Sequence, residues 1–255
     1  MKRIDLNSDV GESFGPYKKG EDEGLLPYVT SANVACGFHS GDPSVMRKTV
    51  GLAVSGGVAL GAHPGFSDLM GFGRRELGIG VREIEDIVVY QIGALAGVAL
   101  AQNAQLQHVK PHGALYNMAA RDRAVADAVV RAILAVDDSL ILFGLSGSLL
   151  LDAGEAAGLR TAAEVFADRA YLSDGSLVPR DQPDAVIVDP TEVRERALRL
   201  VEDGSVVTQG GDVLEVRRDT ICIHGDTPAA GELAAGVRSS LENAGIEVIS
   251  LNTRT

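Results

Sequence analysis

The chain has 255 residues, a formal net charge of −12, 45% hydrophobic and 23% charged residues, 30 glycines and only 4% aromatics. That length fits one or two domains, and about 250 residues is the usual size of one closed β/α barrel. The acidic balance argues against nucleic-acid or anionic-membrane binding, because like charges repel, and no apolar run approaches the roughly 18 residues of a membrane helix.

At the start, Asp5, Asp9 and Glu12 interrupt any apolar leader, so no signal peptide is expected and the protein is expected in the cytoplasm. Strand-like runs follow at 3–9, 32–37, 58–63, 107–111, 140–145, 161–166, 220–224 and 247–251. Helical patterns lie between them at 44–55, 82–103, 119–135, 147–157, 191–202 and 229–243. Strand and helix in alternation imply a parallel sheet, and the unbroken series favours a single α/β domain over 1–255. Leu140-Ile141-Leu142-Phe143 has the apolar run of a strand buried on both faces. A closed barrel is the expected form, with a doubly wound open sheet as the alternative. Two stretches break the rhythm. Residues 170–190 are rich in Asp, Pro and Gly and predict a long loop able to cover a site. Residues 203–218 place Gly210-Gly211-Asp212 between β-branched runs and predict a hairpin beside the barrel. Cys36 and Cys222 form no CxxC pair and are expected to be reduced, buried thiols.

The chemistry gathers at strand ends. His39, His63, His112 and His224 each sit at or just past the end of a predicted strand, where β/α barrels carry their active sites. His108 falls early in its strand and is expected to pack in the wall. Period-two alternation puts Asp5, Asn7 and Asp9 on one face of the first strand, either lining a polar cavity or solvated at an edge. Glu12 follows closely. In Gly61-Ala62-His63-Pro64-Gly65 a stiff turn holds His63. Arg74 and Arg75 in a Gly-rich loop either grip an anion or are simply solvated. Lys110 and His112 share a face two residues apart. A lysine inside a barrel needs an anion or a chemical role, and an ion pair with Asp9 or Glu12 is one outlet. Glu164, Phe166 and Asp168 share one side of another strand end. After His224, Thr227 and Pro228 suit a helix cap and first turn, whose N-terminus would suit an anion. No GxxxxGK[ST], GxGxxG after the first strand, GxSxG or HExxH motif occurs, which argues against P-loop, dinucleotide, serine-hydrolase and zincin chemistry.

Taken in order, several stretches resemble the LamB/YcsF family. They are Asp5-Leu6-Asn7-Ser8-Asp9-Val10-Gly11-Glu12, Ala32-Asn33-Val34-Ala35-Cys36-Gly37-Phe38-His39-Ser40-Gly41-Asp42-Pro43, Gly61 to Gly65, Lys110-Pro111-His112-Gly113-Ala114-Leu115-Tyr116-Asn117, Glu164 to Arg169, Leu177-Val178-Pro179-Arg180 and His224-Gly225-Asp226. One departure is Ser8, where the family often carries Cys. The resemblance implies an irregular, TIM-like β/α barrel related to glycoside hydrolases and deacetylases. It implies the A component of an ATP-hydrolysing 5-oxoprolinase, which opens 5-oxo-L-proline to L-glutamate together with subunits B and C. With no nucleotide loop here, ATP is expected mainly on those partners. Within this picture Asp9, Lys110, His112, His63 and His224 are the candidate catalytic residues. Asp5, Asn7, Glu12, Asn33, His39, Arg74, Asp168 and Arg169 are the candidate substrate-binding residues. Asp9, His63 and His112 are the ligand types with which related deacetylases hold a divalent metal. Two rivals stand beside it: a stand-alone metal-dependent deacetylase or amidohydrolase, and a non-catalytic subunit that binds a small carboxylate.

Overall fold

A computed structural model describes residues 2–225 and 229–251. In chain order the elements are β1 (Arg3–Val10), α1 (Asp22–Leu25), a 3-10 turn (Leu26–Tyr28), β2 (Ser31–Ala35), α2 (Pro43–Ser55), β3 (Ala59–His63), α3 (Val81–Leu100), β4 (Leu106–Val109), α4 (Gly113–Arg121) and α5 (Arg123–Val136). Then come β5 (Ile141–Leu145), α6 (Leu149–Ala156), β6 (Thr161–Phe166), α7 (Pro190–Glu202), β7 (Ser205–Val207), β8 (Val213–Glu215), β9 (Thr220–Cys222), α8 (Ala230–Asn243) and β10 (Glu247–Val248). Thr227 and Pro228, read from the sequence as a helix cap, lie outside the described residues.

Helix starts follow local chemistry. Asp42 accepts from Ser44 N at 2.8 Å and Val45 N at 3.2 Å ahead of Pro43, and Asp189 does the same for Thr191 N and Glu192 N ahead of Pro190. Each such cap stabilises its helix by about 1 kcal/mol. Asp122 ends α4 and caps α5, so the single helix expected at 119–135 is two helices meeting at one residue. On α3 the buried residues Ile84, Val88, Ile92, Leu95 and Ala99 form one stripe facing the sheet and α5.

Parallel pairing runs β1-β2-β3-β4-β5-β6-β9 and returns to β1, closing the barrel at seven strands. The eighth predicted strand does not join the ring. β9 occupies the Asp5–Asn7 edge of β1, so β10 pairs only with Arg3 and Ile4. Beyond β10, Leu251 packs against Ile141, Phe143 and Ala162, and its carbonyl accepts from Gln107 Nε2 at 2.5 Å. The C-terminal segment thereby plugs the bottom of the barrel. The hairpin expected at 203–218 is present as antiparallel β7 and β8, and the loop expected at 170–190 joins β6 to α7. Both cysteines are buried and free. Among the described residues no helix is long and apolar enough to cross a membrane.

The interior above the plug is polar. His108 stacks on Phe143 with centroids 4.1 Å apart, and its Nε2 lies 2.7 Å from Asn33 Oδ1. It therefore fills the barrel lumen as packing, over the backbone of Gly61. A Cβ at position 61 would overlap the His108 imidazole. Gly61→Ala should therefore cost about 1–3 kcal/mol or more in unfolding free energy, measured by denaturant titration. An unchanged midpoint would refute this packing.

Candidate active site

Asp5, Asn7 and Asp9 rise in that order along the inner face of β1, as the alternation required, but they stand at different depths. Asp5 is fully buried and accepts from Thr30 at 2.7 Å, Ser31 at 2.6 Å and Thr220 at 2.5 Å. Burial pushes its carboxyl up to about 6 despite these bonds. Asn7 accepts from Asn33 Nδ2 at 2.7 Å and donates to Thr220 at 2.7 Å. Asp5, Asn7 and Asn33 are each 0% exposed and do not line the cavity above. They form a bonded layer beneath the residues that line the cavity.

The next layer is charged. Lys110 Nζ lies 2.9 Å from Asp9 Oδ1, 2.8 Å from Glu164 Oε1 and 3.1 Å from Cys222 Sγ. The expected ion pair with Asp9 is present. Glu164, not Glu12, is the second anion. Tyr116 donates its hydroxyl to Glu164 Oε2 at 2.7 Å. Burial alone would discharge Lys110, but Asp9 and Glu164 outweigh it and hold the ammonium charged well above the usual lysine range. Burial raises Asp9 in turn, yet His63 and Lys110 hold it well below the usual carboxylate range. Glu164 and Tyr116 were not among the sequence-derived candidates for the site. Glu164 had a visible signal, sharing one strand side with Phe166 and Asp168. Tyr116 stood only inside the family-like stretch from Lys110 to Asn117, with no role of its own, since α4 was not foreseen.

The histidine wall stands beside Asp9. His63 donates its Nδ1 proton to the Lys110 carbonyl at 2.7 Å, and His112 donates its Nε2 proton to the Phe72 carbonyl at 2.8 Å. Carbonyls only accept, so these bonds fix both tautomers. His63 Nε2 and His112 Nδ1 then face each other at 3.1 Å, with Asp9 Oδ2 3.4 Å from the former and Glu12 Oε1 3.6 Å from the latter. Two imidazole lone pairs facing at that distance make a pair of donors that a shared cation would bridge. Distal N–H groups anchored on carbonyls are the usual outer support of metal-binding histidines, and Glu12, His63 and His112 bring ligand atoms within 4.8 Å of one another with His39 beside them, while Asp9 groups instead with Cys222 and His224. His39 is fully buried and stacks on His112 at 3.7 Å with planes 2° apart. Parallel rings cannot both aim in-plane lone pairs at one ion, so His39 does not join them in this orientation. It also does not line the cavity.

Across the cavity, His224 Nδ1 lies 2.9 Å from Asp168 Oδ2, and its backbone N–H donates to the same oxygen at 3.1 Å. Burial raises Asp168, but His224 lowers it further, keeping it ionised. Asp168 is fully buried, is not part of the cavity lining, and holds His224 in place. The cavity, about 850 Å³, is lined by Asp9, Glu12, His63, Lys110, His112 and His224 at its inner end and by Arg74, Arg169 and Arg180 farther out. Arg75 is committed elsewhere, paired with Asp68. The loop between β6 and α7 supplies residues 172 and 174–181 of the lining. Ser8 faces away from Asp9 and donates to the Ile223 carbonyl.

Residues 4–255 match the LamB/YcsF family. The chain is 57% identical to the 5-oxoprolinase A subunit of Bordetella pertussis (strain Tohama I), over 96% of this chain and 97% of that one. It is 56% identical to the 5-oxoprolinase A subunit of Bacillus subtilis (strain 168), over 99% and 98%. Among solved structures it is similar to the lactam utilization protein from Thermus thermophilus, with TM-score 0.92, 48% identity, and coverage of 98% of this chain and 100% of that one. The motifs shared along the whole length, the seven-strand barrel and the full coverage agree: this chain belongs to the LamB/YcsF family.

Proposed function

We propose that this chain is the ring-opening component, the A subunit, of an ATP-dependent 5-oxoprolinase, acting with subunits B and C to convert 5-oxo-L-proline to L-glutamate. The observation that carries the reading is Lys110, a buried ammonium between Asp9 and Glu164 that faces the inner end of a cavity large enough for a five-membered lactam. An amide carbon is a poor electrophile, and phosphorylation of the lactam oxygen would activate it. The chain carries no GxxxxGK[ST] loop, which favours placing ATP use on the partner subunits.

Water then adds to the lactam carbon, giving up a proton to the Asp9–His63 pair as general base. Lys110 faces the negative charge that develops on oxygen in the adduct. The C–N bond breaks as the ring nitrogen takes a proton. His224, with Nδ1 held by Asp168, has Nε2 left to deliver it. A second water releases phosphate from the resulting acyl phosphate. If Glu12, His63 and His112 hold a divalent cation, it supplies Lewis acidity toward the attacking water.

The deciding experiment is glutamate release from 5-oxoproline, by this chain alone and with its B and C partners, with and without ATP and after chelation. Release is expected only in the full assembly with ATP. Absence of turnover there overturns the reading. ATP-independent release by the chain alone, abolished by a chelator, would instead establish a stand-alone amidohydrolase.

A further inference from the structure

One row of inward-facing residues crosses four strands of the barrel. Strand register puts Asp9 on β1 beside Asn33 on β2, Asn33 beside Gly61 on β3, and Gly61 beside His108 on β4. Gly61 has no side chain, and the His108 ring fills the space where its Cβ would stand. The imidazole thereby reaches across β3, and its Nε2 comes within 2.7 Å of Asn33 Oδ1. At the other end of the amide, Asn33 Nδ2 donates to Asp9 Oδ1 at 2.8 Å and to Asn7 Oδ1 at 2.7 Å.

Charge fixes the direction of each bond in this line. His63 and Lys110 hold Asp9 ionised, and a carboxylate only accepts. Asn33 must therefore turn its NH2 toward Asp9 and its oxygen toward His108. An amide oxygen also only accepts, so the His108 proton sits on Nε2 and Nδ1 is bare. That bare nitrogen is buried and has no hydrogen-bond partner among the described residues. An unpaired buried nitrogen costs stability. An apolar ring in the same place would stack on Phe143 without that cost, so packing does not account for a histidine here. A donor aimed at Asn33 does.

What the line controls is the orientation of Asp9. Its Oδ1 takes both Asn33 Nδ2 at 2.8 Å and Lys110 Nζ at 2.9 Å. Its Oδ2 is left facing His63 Nε2 at 3.4 Å. Without the Asn33 bond both oxygens compete for Lys110, and the one offered to His63 is no longer set. A carboxylate held from two sides keeps one orientation, whereas one held from a single side rotates.

We propose that His108 and Asn33 are positioning residues for the base: His108 aims the Asn33 amide, and Asn33 pins Asp9 Oδ1 so that Oδ2 works with His63 on the attacking water. This rests on the ring-opening reading, in which Asp9 and His63 take the proton.

Two measurements test it. Nitrogen NMR of the full chain labelled in its histidine rings, with the His108 signals assigned by their loss in His108→Gln, reads the tautomer without any turnover. A proton on Nε2 and a bare Nδ1 are expected. Kinetics of the reconstituted assembly then read the effect on the base. His108→Phe, which keeps the stacking, and Asn33→Ala should each lower kcat by about 10- to 100-fold with KM within about twofold, the pattern of losing an outer partner of a working group. His108→Gln, whose amide N–H can replace the Nε2 donor, should recover most of the kcat lost in His108→Phe. The double variant Asn33→Ala with His108→Phe should be no slower than Asn33→Ala, because the histidine acts only through the amide. Thermal melting shows which variants are folded, and the tautomer and Asn33→Ala each stand alone if His108→Phe is not. The proposal is overturned by a proton on Nδ1, by unchanged kcat in folded Asn33→Ala, by His108→Gln as slow as His108→Phe, by losses that multiply in the double variant, or by a loss confined to KM. If the assembly releases no glutamate, the ring-opening reading falls and takes the role in the base with it; turnover with a proton on Nδ1 removes the positioning line alone.

Discussion

Lys110→Met is expected to lower glutamate release in the reconstituted assembly by roughly 100- to 1000-fold, the usual cost of removing a preorganised charge from a water-poor site. The same change leaves Asp9 and Glu164 facing each other in the buried interior without the ammonium that lies 2.9 and 2.8 Å from them. Breaking a buried ion pair from one side typically costs about 3–5 kcal/mol. Activity and stability therefore fall together, and a second variant separates them. Lys110→Met with Glu164→Gln removes one buried anion and should recover much of the stability, while activity stays low. Full activity in folded Lys110→Met would end the catalytic assignment; recovery of activity in the double variant would reduce Lys110 to a structural counterion.

Acid should destabilise this protein well before ordinary carboxylates titrate. Burial lowers His39 and His112 well below the usual histidine range and lowers His108 to about 3. In the unfolded chain each regains a value near 6.5. Below pH 6.5 the unfolded state therefore binds more protons than the native state, and stability falls with pH. Asp5 acts in the opposite sense. Its native value of about 6 lies above the 3.8 of an ordinary aspartate, so the native state takes up one proton early and gains stability as pH falls between those values. Three histidines against one aspartate leave a net loss of stability as pH falls from 6.5 to 5.5. Denaturant titrations across pH 7.5 to 5 measure it. Asp5→Asn should steepen the fall and His108→Gln should flatten it; a level profile would contradict the buried neutral histidines.

Much of the site was legible because strand geometry is simple. Alternation aligned Asp5, Asn7 and Asp9, and strand ends marked His63, Lys110, His112 and His224. Period two fixes a face and not a depth, however. Asp9 lines the cavity while Asp5 and Asn7, on the same face, lie in the bonded layers beneath. Adjacent Arg74 and Arg75 read identically, and only the fold shows that Arg75 turns to Asp68. Glu164 reaches Lys110 because β6 curves round past β5 to face β4, a consequence of closing the ring at seven strands. The 247–251 segment has strand character in sequence, but nothing local says that β9 already holds most of the β1 edge.

Among the described residues, the plug formed by Leu251, Ile141, Phe143 and Ala162, with the His108–Asn33–Asn7 layer above it, closes the lower end of the barrel beneath the cavity. Traffic through a blind well is last in, first out. Whatever enters deepest must wait for everything nearer the mouth to depart. A partner protein that docks over the mouth to hand in an activated substrate must also lift away, or leave a gap, once in every catalytic cycle.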